Sequence, residues 1–351
     1  MPHIFGTGLV ALDLIIEHRP HGSALSASGG GTCGNVLAIL ARMGWTSSWL
    51  GSMESSRAGR LVRDEMERTG VGMHSVRECD ASPAPVFAHH VRLSESGESA
   101  GHWFSHDCPH CARALPRYER PADTWLRGQS TQMQCADVFF VDRLSEGALE
   151  LAVAAHDNGA LVAYEPSVAS DEPWLSEMLA LADVVKYSYD RRDVLHDAST
   201  RSINDHALWI ETHGHQGLRW WRGNDFSDVK EIPALRNFHA VDTCGAGDWF
   251  TSALLFGLGR DRTKPFDLGE CDLTSVLEDA ARLAAWSCSF LGARGALYEA
   301  TVQDIFAQFS KEAPPLPPSR SPLPRPIAHV DVCDHCSGSS LVNDRLGFAT
   351  I

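Results

Sequence analysis

Short apolar runs alternate with stretches of helical periodicity along most of the chain. The opening segment IFGTGLVALDLII is typical of a strand, and NVLAILARMG has the apolar spacing of a helix that ends at Gly44. From ADVFFVDR onward the alternation is regular, because the strands ALVAYEPS and DVVKYSY are separated by a helical segment. This order of elements predicts βαβ units and a mostly parallel sheet with right-handed crossovers.

Three segments depart from this rhythm. PVFAHHVRL and SAGHWFSH, joined by SESGE, predict a β-hairpin. Residues 105–132 are polar and look irregular, which predicts an insertion. Residues 313–326 are dense in proline and predict a semi-rigid extended linker, so the core is expected to end near residue 312 and a tail to occupy 327–351.

Composition narrows the class of protein. The 351 residues are 44% hydrophobic and 21% charged, as in ordinary globular proteins, and no apolar run approaches the roughly 20 residues of a membrane span. The first residues contain no basic segment or cleavage site of a secretory signal, so we expect a cytoplasmic protein with no membrane partner. The net charge of −15 disfavours nucleic acid as a partner, because binding phosphate backbones needs clustered Lys and Arg.

A glycine-rich loop leads into an apolar helix in HAVDTCGAGDWFTSALLFG. Gly245, Ala246 and Gly247 have little or no side chain, so their N–H groups at a helix start can bind an anion. Asp248 follows directly, and two interpretations of it are open. It stabilises its own helix through the dipole, or it accepts the proton of a substrate hydroxyl while the loop holds a transferring phosphoryl group.

The same loop resembles the C-terminal signature of the ribokinase-like, or PfkB, family of carbohydrate and nucleoside kinases. That signature is DTxGAGD followed by an aromatic residue and a helix of small residues, and DTCGAGDWFTSAL matches its fixed positions. The resemblance implies ATP-dependent phosphorylation of a hydroxyl of a sugar, a sugar-like molecule or a nucleoside. It places the catalytic base on Asp248 and the anion hole on Gly245, Ala246 and Gly247.

A second segment, GGGTCGNVLAILARMG, resembles the N-terminal motif of the same family. The resemblance implies that Gly30, Gly31 and Asn35 line the site of the hydroxyl substrate. A turn followed by a helix start is the alternative for this segment taken alone. Asp13 matches the family acid that binds substrate hydroxyls, and this inference rests on the resemblance alone.

The nucleotide side follows from two further resemblances. IETHGHQGL is similar to the TxGxxG segment of the family, and ADVVKYSYDRRDV to the strand that ends near ATP. The residues implied to bind ATP are Lys186, Ser188, Thr212, Gly214 and Gly217.

Position 191 departs from the family pattern. Many members carry a Glu there that organises Mg²⁺ and phosphate through water, whereas this chain has Arg191. Three alternatives follow: Asp190 or Asp193 takes the role, Mg²⁺ is handled differently, or activity is weakened. YEPS also replaces the usual D-P-N, with Glu165 for Asp and Ser167 for Asn.

The resemblance covers about residues 4–310 and implies a ribokinase-like α/β domain over residues 1–312. Its expected fold is a mainly parallel central sheet flanked by helices. Parts of residues 10–27 and 84–104 are expected to form a small β lid, which would exclude water during transfer. Lids of this kind have exposed edges, so a homodimer through the lid is a further expectation.

Two CxxC pairs lie outside the kinase signature, and each can supply two corners of a tetrahedral zinc site. We predict one structural Zn²⁺ that joins the insertion to the C-terminal tail, with His106, His110 and His335 close enough in sequence to substitute as ligands. Redox chemistry at one pair and incidental thiols are the alternatives. The four predicted ligands are Cys108, Cys111, Cys333 and Cys336.

A different class of function is also compatible with the sequence. Arg191 and a zinc-bound tail fit a catalytically weak ligand-binding or regulatory protein that uses the kinase scaffold to meet a protein partner. The intact loop at Asp248 favours the enzyme, with ATP and a small hydroxyl compound as its ligands.

Overall fold

The structure is a computed structural model that describes residues 1–97, 99–166, 174–192, 195, 203–225, 227–236, 238–259 and 267–309. Within these residues the α-helices are α1 (Thr32–Arg42), α2 (Arg57–Thr69), α3 (Asp123–Arg127), α4 (Glu146–Asp157), α5 (Leu175–Leu181), α6 (Ala246–Gly259), α7 (Glu270–Ser287), α8 (Gly295–Glu299) and α9 (Val302–Phe306). The strands are β1 (His3–Thr7), β2 (Ala11–Arg19), β3 (Gly22–Gly30), β4 (Thr46–Trp49), β5 (Gly51–Met53), β6 (Val71–Gly72), β7 (Val76–Glu78), β8 (Val86–Leu93), β9 (Ser99–Ser105), β10 (Val138–Val141), β11 (Leu161–Tyr164), β12 (Val184–Ser188), β13 (Leu208–Thr212), β14 (Leu218–Arg222) and β15 (Lys230–Ile232).

Most strands belong to one nine-stranded sheet with the order β15-β14-β13-β12-β11-β10-β1-β4-β6. The strands from β13 through β6 pair in parallel, and β14 and β15 add an antiparallel edge. The predicted α/β fold with a mainly parallel central sheet is confirmed.

Both faces of the sheet are covered, which explains why its strands are apolar throughout. In β10 every residue is buried, and successive side chains point to opposite faces. Val138 and Phe140 belong to the core shared with α1, α2, α6 and α7. Phe139 and Val141 belong to the core shared with α4 and α5. The helices therefore form one layer on each side of the sheet.

Side chains and glycines set the helix ends. Ser56 and Ser145 begin α2 and α4, since their hydroxyls accept the N–H of Gly59 and Ala148. The first predicted helix ends at Arg42, and Gly44 then turns the chain with a φ of +95°.

A second, four-stranded sheet has the order β3-β2-β8-β9. It is built from residues 11–30 and 86–105, which largely coincide with the segments assigned to the lid, and β8–β9 confirms the predicted hairpin. Because β2 and β3 lie between β1 and α1 in the chain, this sheet is attached directly to the central one. Its closing action over a site stays a prediction.

The segment 105–132 contains an isolated bridge between Asp107 and Ala114 and the short helix α3. The linker 313–326 and the tail 327–351 lie outside the described residues. Among the described helices, none combines the length and apolarity that crossing a bilayer would require.

Candidate active site

Polar side chains gather where the parallel strands of the central sheet end. Asp142 follows β10 and Glu165 follows β11, while Ser188 and Thr212 end β12 and β13. Ligands of open α/β sheets bind outside the carboxyl ends of the strands, so this edge is the candidate site. The loop before α6 lies against it, because a Cβ built on Gly247 would be 3.1 Å from Lys186 Nζ.

The turn before α6 requires glycine at its first position. Gly245 has a φ of +78°, and a Cβ there would lie 2.5 Å from Ala293 Cβ. The N–H of Asp248 bonds back to the Gly245 carbonyl at 2.9 Å, and that of Ala246 to Thr243 at 3.3 Å. In the described part of the chain the N–H groups of Gly245 and Gly247 donate to no protein acceptor. These two donors at the helix start can bind an anion.

Asp248 stands at the start of α6 beside the first helix of the chain. Asn35 Nδ2 donates to Asp248 Oδ2 at 2.6 Å, which joins residues 213 positions apart. Burial and the charge of Glu165 raise the pKa of Asp248 to about 7, against the opposing effects of the Asn35 hydrogen bond and the Lys186 charge. A carboxylate with a pKa near neutrality suits a general base.

Lys186 lies beneath the loop, where its ammonium is buried. It donates to Glu165 Oε1 at 2.6 Å, to the Gly247 carbonyl at 2.8 Å and to Thr251 Oγ1 at 3.0 Å. Thr251 in turn donates to Glu165 Oε2 at 2.6 Å. All three ammonium protons are thus used inside the protein, and Lys186 supports the anion-binding loop from below. Its contact with ATP stays a prediction.

The residues predicted to bind the hydroxyl substrate lie together. Asp13 of β2 is buried against Gly30, where a Cβ would be 2.1 Å from Asp13 Oδ2. Gly31 has a φ of +83° and precedes α1, which carries Asn35. Burial raises the pKa of Asp13 to about 7, and the charge of Arg294 opposes that rise.

Arg294 is a member of this site that the sequence did not reveal. It is fully buried, and its Nε donates to Asn35 Oδ1 at 2.8 Å. This bond fixes the amide so that Asn35 Nδ2 faces Asp248. Arg294 Nη1 has no hydrogen-bond partner among the described residues and lies where a Cβ on Gly29 would meet it at 2.1 Å. The surrounding segment FLGARGALY matches neither glycine-rich motif, so the sequence gives no signal for Arg294. Only the burial of its charge in the structure identifies it.

The predicted nucleotide residues occupy the neighbouring strand ends. Ser188 and Thr212 are register partners, and Thr212 Oγ1 donates to the Tyr187 carbonyl at 3.3 Å. The turn after β13 places Gly214 at a φ of +54° and Gly217 at +104°. Ser188, Thr212, Gly214 and Gly217 therefore lie at the same edge of the central sheet. Their binding of ATP stays a prediction.

Arg191 donates through Nη1 to the Pro166 carbonyl at 2.8 Å, so it bridges the ends of two strands. Asp190 is exposed. Asp193 and Ser167 lie outside the described residues, and the three alternatives for Arg191 stay open.

The predicted zinc ligands are only partly described. Cys108 is buried and Cys111 exposed, while Cys333 and Cys336 lie outside the described residues. Beside the first pair, His106 Nδ1 and His110 Nε2 are buried without a hydrogen-bond partner in the described part of the chain. The zinc site stays a prediction.

Comparison with known proteins decides the family. The model of the pfkB family of carbohydrate kinases matches residues 3–299. The chain belongs to the pfkB carbohydrate kinase family. The family predicted from the two glycine-rich loops is therefore confirmed, and the protein is an ATP-dependent carbohydrate kinase.

Curated pfkB relatives are distant but extensive. Probable fructokinase-4 from Arabidopsis thaliana is 26% identical over 282 residues, which cover 72% of this chain and 76% of that protein. Aminoimidazole riboside kinase from Salmonella typhimurium is 26% identical over 278 residues, covering 74% and 82%. The crystal structure of fructokinase with bound ATP from Xylella fastidiosa shares the fold, with a TM-score of 0.64, 19% identity and coverage of 87% and 97%.

Proposed function

We propose that this pfkB kinase transfers the γ-phosphoryl group of ATP to a hydroxyl of a sugar, a sugar-like molecule or a nucleoside, with Asp248 as the general base. One observation carries the proposal. The carboxylate of Asp248 directly follows two glycine N–H donors at a helix start, and Asn35 holds it from the substrate side. A base and an anion hole this close match the needs of phosphoryl transfer.

In the proposed reaction, Asp248 accepts the proton of the acceptor hydroxyl. The hydroxyl oxygen forms a bond to the γ-phosphorus as the bond to the β–γ bridging oxygen breaks, and ADP leaves with that electron pair. The N–H groups of Gly245 and Gly247 stabilise the charge on the transferring group, and Ala246, whose N–H donates to the Thr243 carbonyl, holds the turn between them. Lys186 keeps this loop in place through the Gly247 carbonyl.

For the acceptor we propose a site formed by Asp13, Gly30, Gly31 and Asn35. Asp13 is buried beside Gly30, so its carboxylate can accept hydroxyl protons where backbone also approaches closely. The relatives named as fructokinases and as aminoimidazole riboside kinase support a sugar or a riboside as the acceptor.

For the nucleotide we propose the strand ends that carry Ser188, Thr212, Gly214 and Gly217, with Lys186 acting beneath the loop. Kinases of this chemistry use Mg²⁺, which neutralises phosphate charge when it is bound. The carboxylates at this edge, Asp142 and Glu165, are the oxygen donors that Mg²⁺ prefers. Each is already bonded within the protein, so they fit an ion held mainly by phosphate oxygens and water.

The direct test is Asp248→Asn, which keeps the shape of the side chain and removes the base. We expect turnover to fall by about 10²–10⁴-fold in an ATP-consumption assay over a panel of sugars and nucleosides. The matched control is Asp157→Asn at the exposed end of α4, which should keep full activity. Near-normal phosphorylation by folded Asp248→Asn would exclude this residue as the base.

The wild-type protein can be titrated with ATP and Mg²⁺ by calorimetry. A folded protein that binds no nucleotide would support the alternative, a ligand-binding or regulatory protein on a kinase scaffold. Arg191 is the residue that would then need mutation. It stands where the family usually has an acid, and it donates to the Pro166 carbonyl.

We also propose that Cys108 and Cys111 form half of a structural zinc site, with Cys333 and Cys336 as the other half. His106 Nδ1 and His110 Nε2 beside the first pair have no hydrogen-bond partner among the described residues, and this supports a metal there. Substituting Cys111 by Ser should lower the zinc content by one ion per chain, as measured by elemental analysis.

A further inference from the structure

Three side chains that the proposed reaction does not use lie close together at the start of the signature loop. They are His89 of β8, His102 of β9 and Asp242, which begins the signature loop. One ligand atom of each lies within 4.8 Å of the other two. Among the described residues, no other group of three or more His, Cys, Asp or Glu has its ligand atoms this close together.

Asp242 is fixed by the backbone around it. Its Oδ1 accepts the N–H of Cys244 at 3.0 Å, and its Oδ2 accepts the N–H of Gly292 at 2.9 Å. His102 Nδ1 lies 2.8 Å from Oδ1. The carboxylate is fully buried, and each oxygen has a second lone pair besides the one that accepts a backbone N–H.

His89 supplies the observation that points to a ligand. It is fully buried on the second sheet, and neither of its ring nitrogens has a hydrogen-bond partner in the described part of the chain. Its Nε2 lies 3.6 Å from Asp242 Oδ2, which is too long for a hydrogen bond. Two ligands of one tetrahedral ion with bonds of about 2.0–2.1 Å are separated by roughly 3.4 Å, close to this distance.

We propose that His89, His102 and Asp242 bind a divalent transition-metal ion of the zinc class. Imidazole and carboxylate ligands suit Zn²⁺, whereas Mg²⁺ prefers oxygen ligands alone. The ion replaces the proton shared between His102 and Asp242, so binding releases a proton. It satisfies Nε2 of His89 and leaves a fourth position for water.

The site joins two separate elements of the fold. His89 and His102 belong to neighbouring strands of the second sheet, while Asp242 precedes the loop that contains Asp248. A bound ion therefore fastens the second sheet to the base of the anion-binding loop. The site uses none of the four cysteines of the CxxC pairs, and it does not depend on the identity of the acceptor.

The test uses the full chain, stripped of metal by a chelator and then loaded with Zn²⁺ or Co²⁺. His89→Phe removes one ligand, keeps the ring that stacks on Phe104 and introduces no unpaired polar atom. The matched control is His90→Phe, the next residue of β8, whose ring contacts His18 instead. His102→Gln is a second ligand variant, because its amide can still donate to Asp242.

We expect the wild type and His90→Phe to bind one more Zn²⁺ per chain than His89→Phe and His102→Gln. Zn²⁺ should also raise the melting temperature of the wild type by more than it raises that of the ligand variants. The Co²⁺ difference spectrum between wild type and His89→Phe should show visible d–d bands without thiolate charge-transfer bands. Equal metal content in all four proteins would overturn the proposal, and so would thiolate bands in that difference spectrum.

Discussion

Lys186 and Glu165 form a buried ion pair whose charges serve the loop above them. The ammonium satisfies a carboxylate, a hydroxyl and the Gly247 carbonyl at once, so it fixes the backbone whose N–H groups we propose as the anion hole. Such a pair contributes little net stability when intact, yet losing one partner leaves a charge without compensation.

Substituting Lys186 by Met should therefore lower the free energy of unfolding by about 3–5 kcal/mol, because Glu165 is left buried and unpaired. Urea denaturation measures the change. The double variant Lys186→Met/Glu165→Gln is the control, and it should recover part of the loss. A single variant as stable as the wild type would show that the pair does not hold the loop.

The raised pKa of Asp248 predicts how activity depends on pH. A general base must be ionised, so kcat/KM should fall as the pH drops through about 7 and decrease tenfold per unit below it. The hydrogen bond from Asn35 lowers this pKa, so Asn35→Ala should move the acid limb to higher pH. An acid limb in the ordinary carboxylate range would contradict the assignment.

The same shift has the opposite sign for stability. The folded protein keeps protons on Asp13 and Asp248 up to about pH 7, whereas the unfolded chain releases them near pH 3.8. Stability contributed by these two groups therefore decreases as the pH rises across that window, while activity increases.

At the scale of elements, the turn into α6 determines whether the site exists. Gly245 combines a left-handed backbone with a contact that leaves no room for a side chain, because Ala293 lies directly against it. The loop before α8 thus supports the loop before α6, and both must fold together.

A comparison of Gly245 with Gly159 separates the effect of the left-handed backbone from the effect of the Ala293 contact. Gly159 also has a φ of +78°, but a Cβ there would meet nothing within 4 Å. Gly159→Ala should cost only the backbone strain of about 1–2 kcal/mol and keep turnover. Gly245→Ala should cost more and reduce turnover at least about tenfold, since misplacement near the chemistry is expensive. Equal effects in chemical denaturation and turnover assays would show that the Ala293 contact is unimportant.

Contiguous segments explain what the sequence could predict. The parallel strands are apolar runs, the hairpin is local, and both glycine-rich loops are motifs of a few residues, so each is visible in one stretch of chain. The bonds of Lys186 to Glu165 and of Arg294 to Asn35 depend instead on strand register and helix placement. Arg294 and Asn35 are 259 positions apart, and no local pattern joins them.

At the scale of the whole molecule, the chain passes back and forth between the central sheet and the second sheet. The strands β2, β3, β8 and β9 of the second sheet lie in sequence between strands of the central one. The central sheet carries the strand ends against which the start of α6 and Asp248 lie, while the second sheet carries Asp13, His89 and His102. Trp103 and Phe104 remain 42% and 49% exposed on the second sheet. A homodimer through this sheet and a cytoplasmic location stay predictions.

The order of the strands has a consequence for biosynthesis. β1 is among the first segments to leave the ribosome, yet one of its two neighbours, β10, is translated more than a hundred residues later. Asp13, Gly30, Gly31 and Asn35, which we propose to bind the acceptor, are translated by then, while Asp248, Ala293 and Arg294 are still missing. A nascent chain of this kinase therefore exposes the unpaired apolar edge of β1 until β10 emerges, and an edge of this kind is prone to aggregation during synthesis.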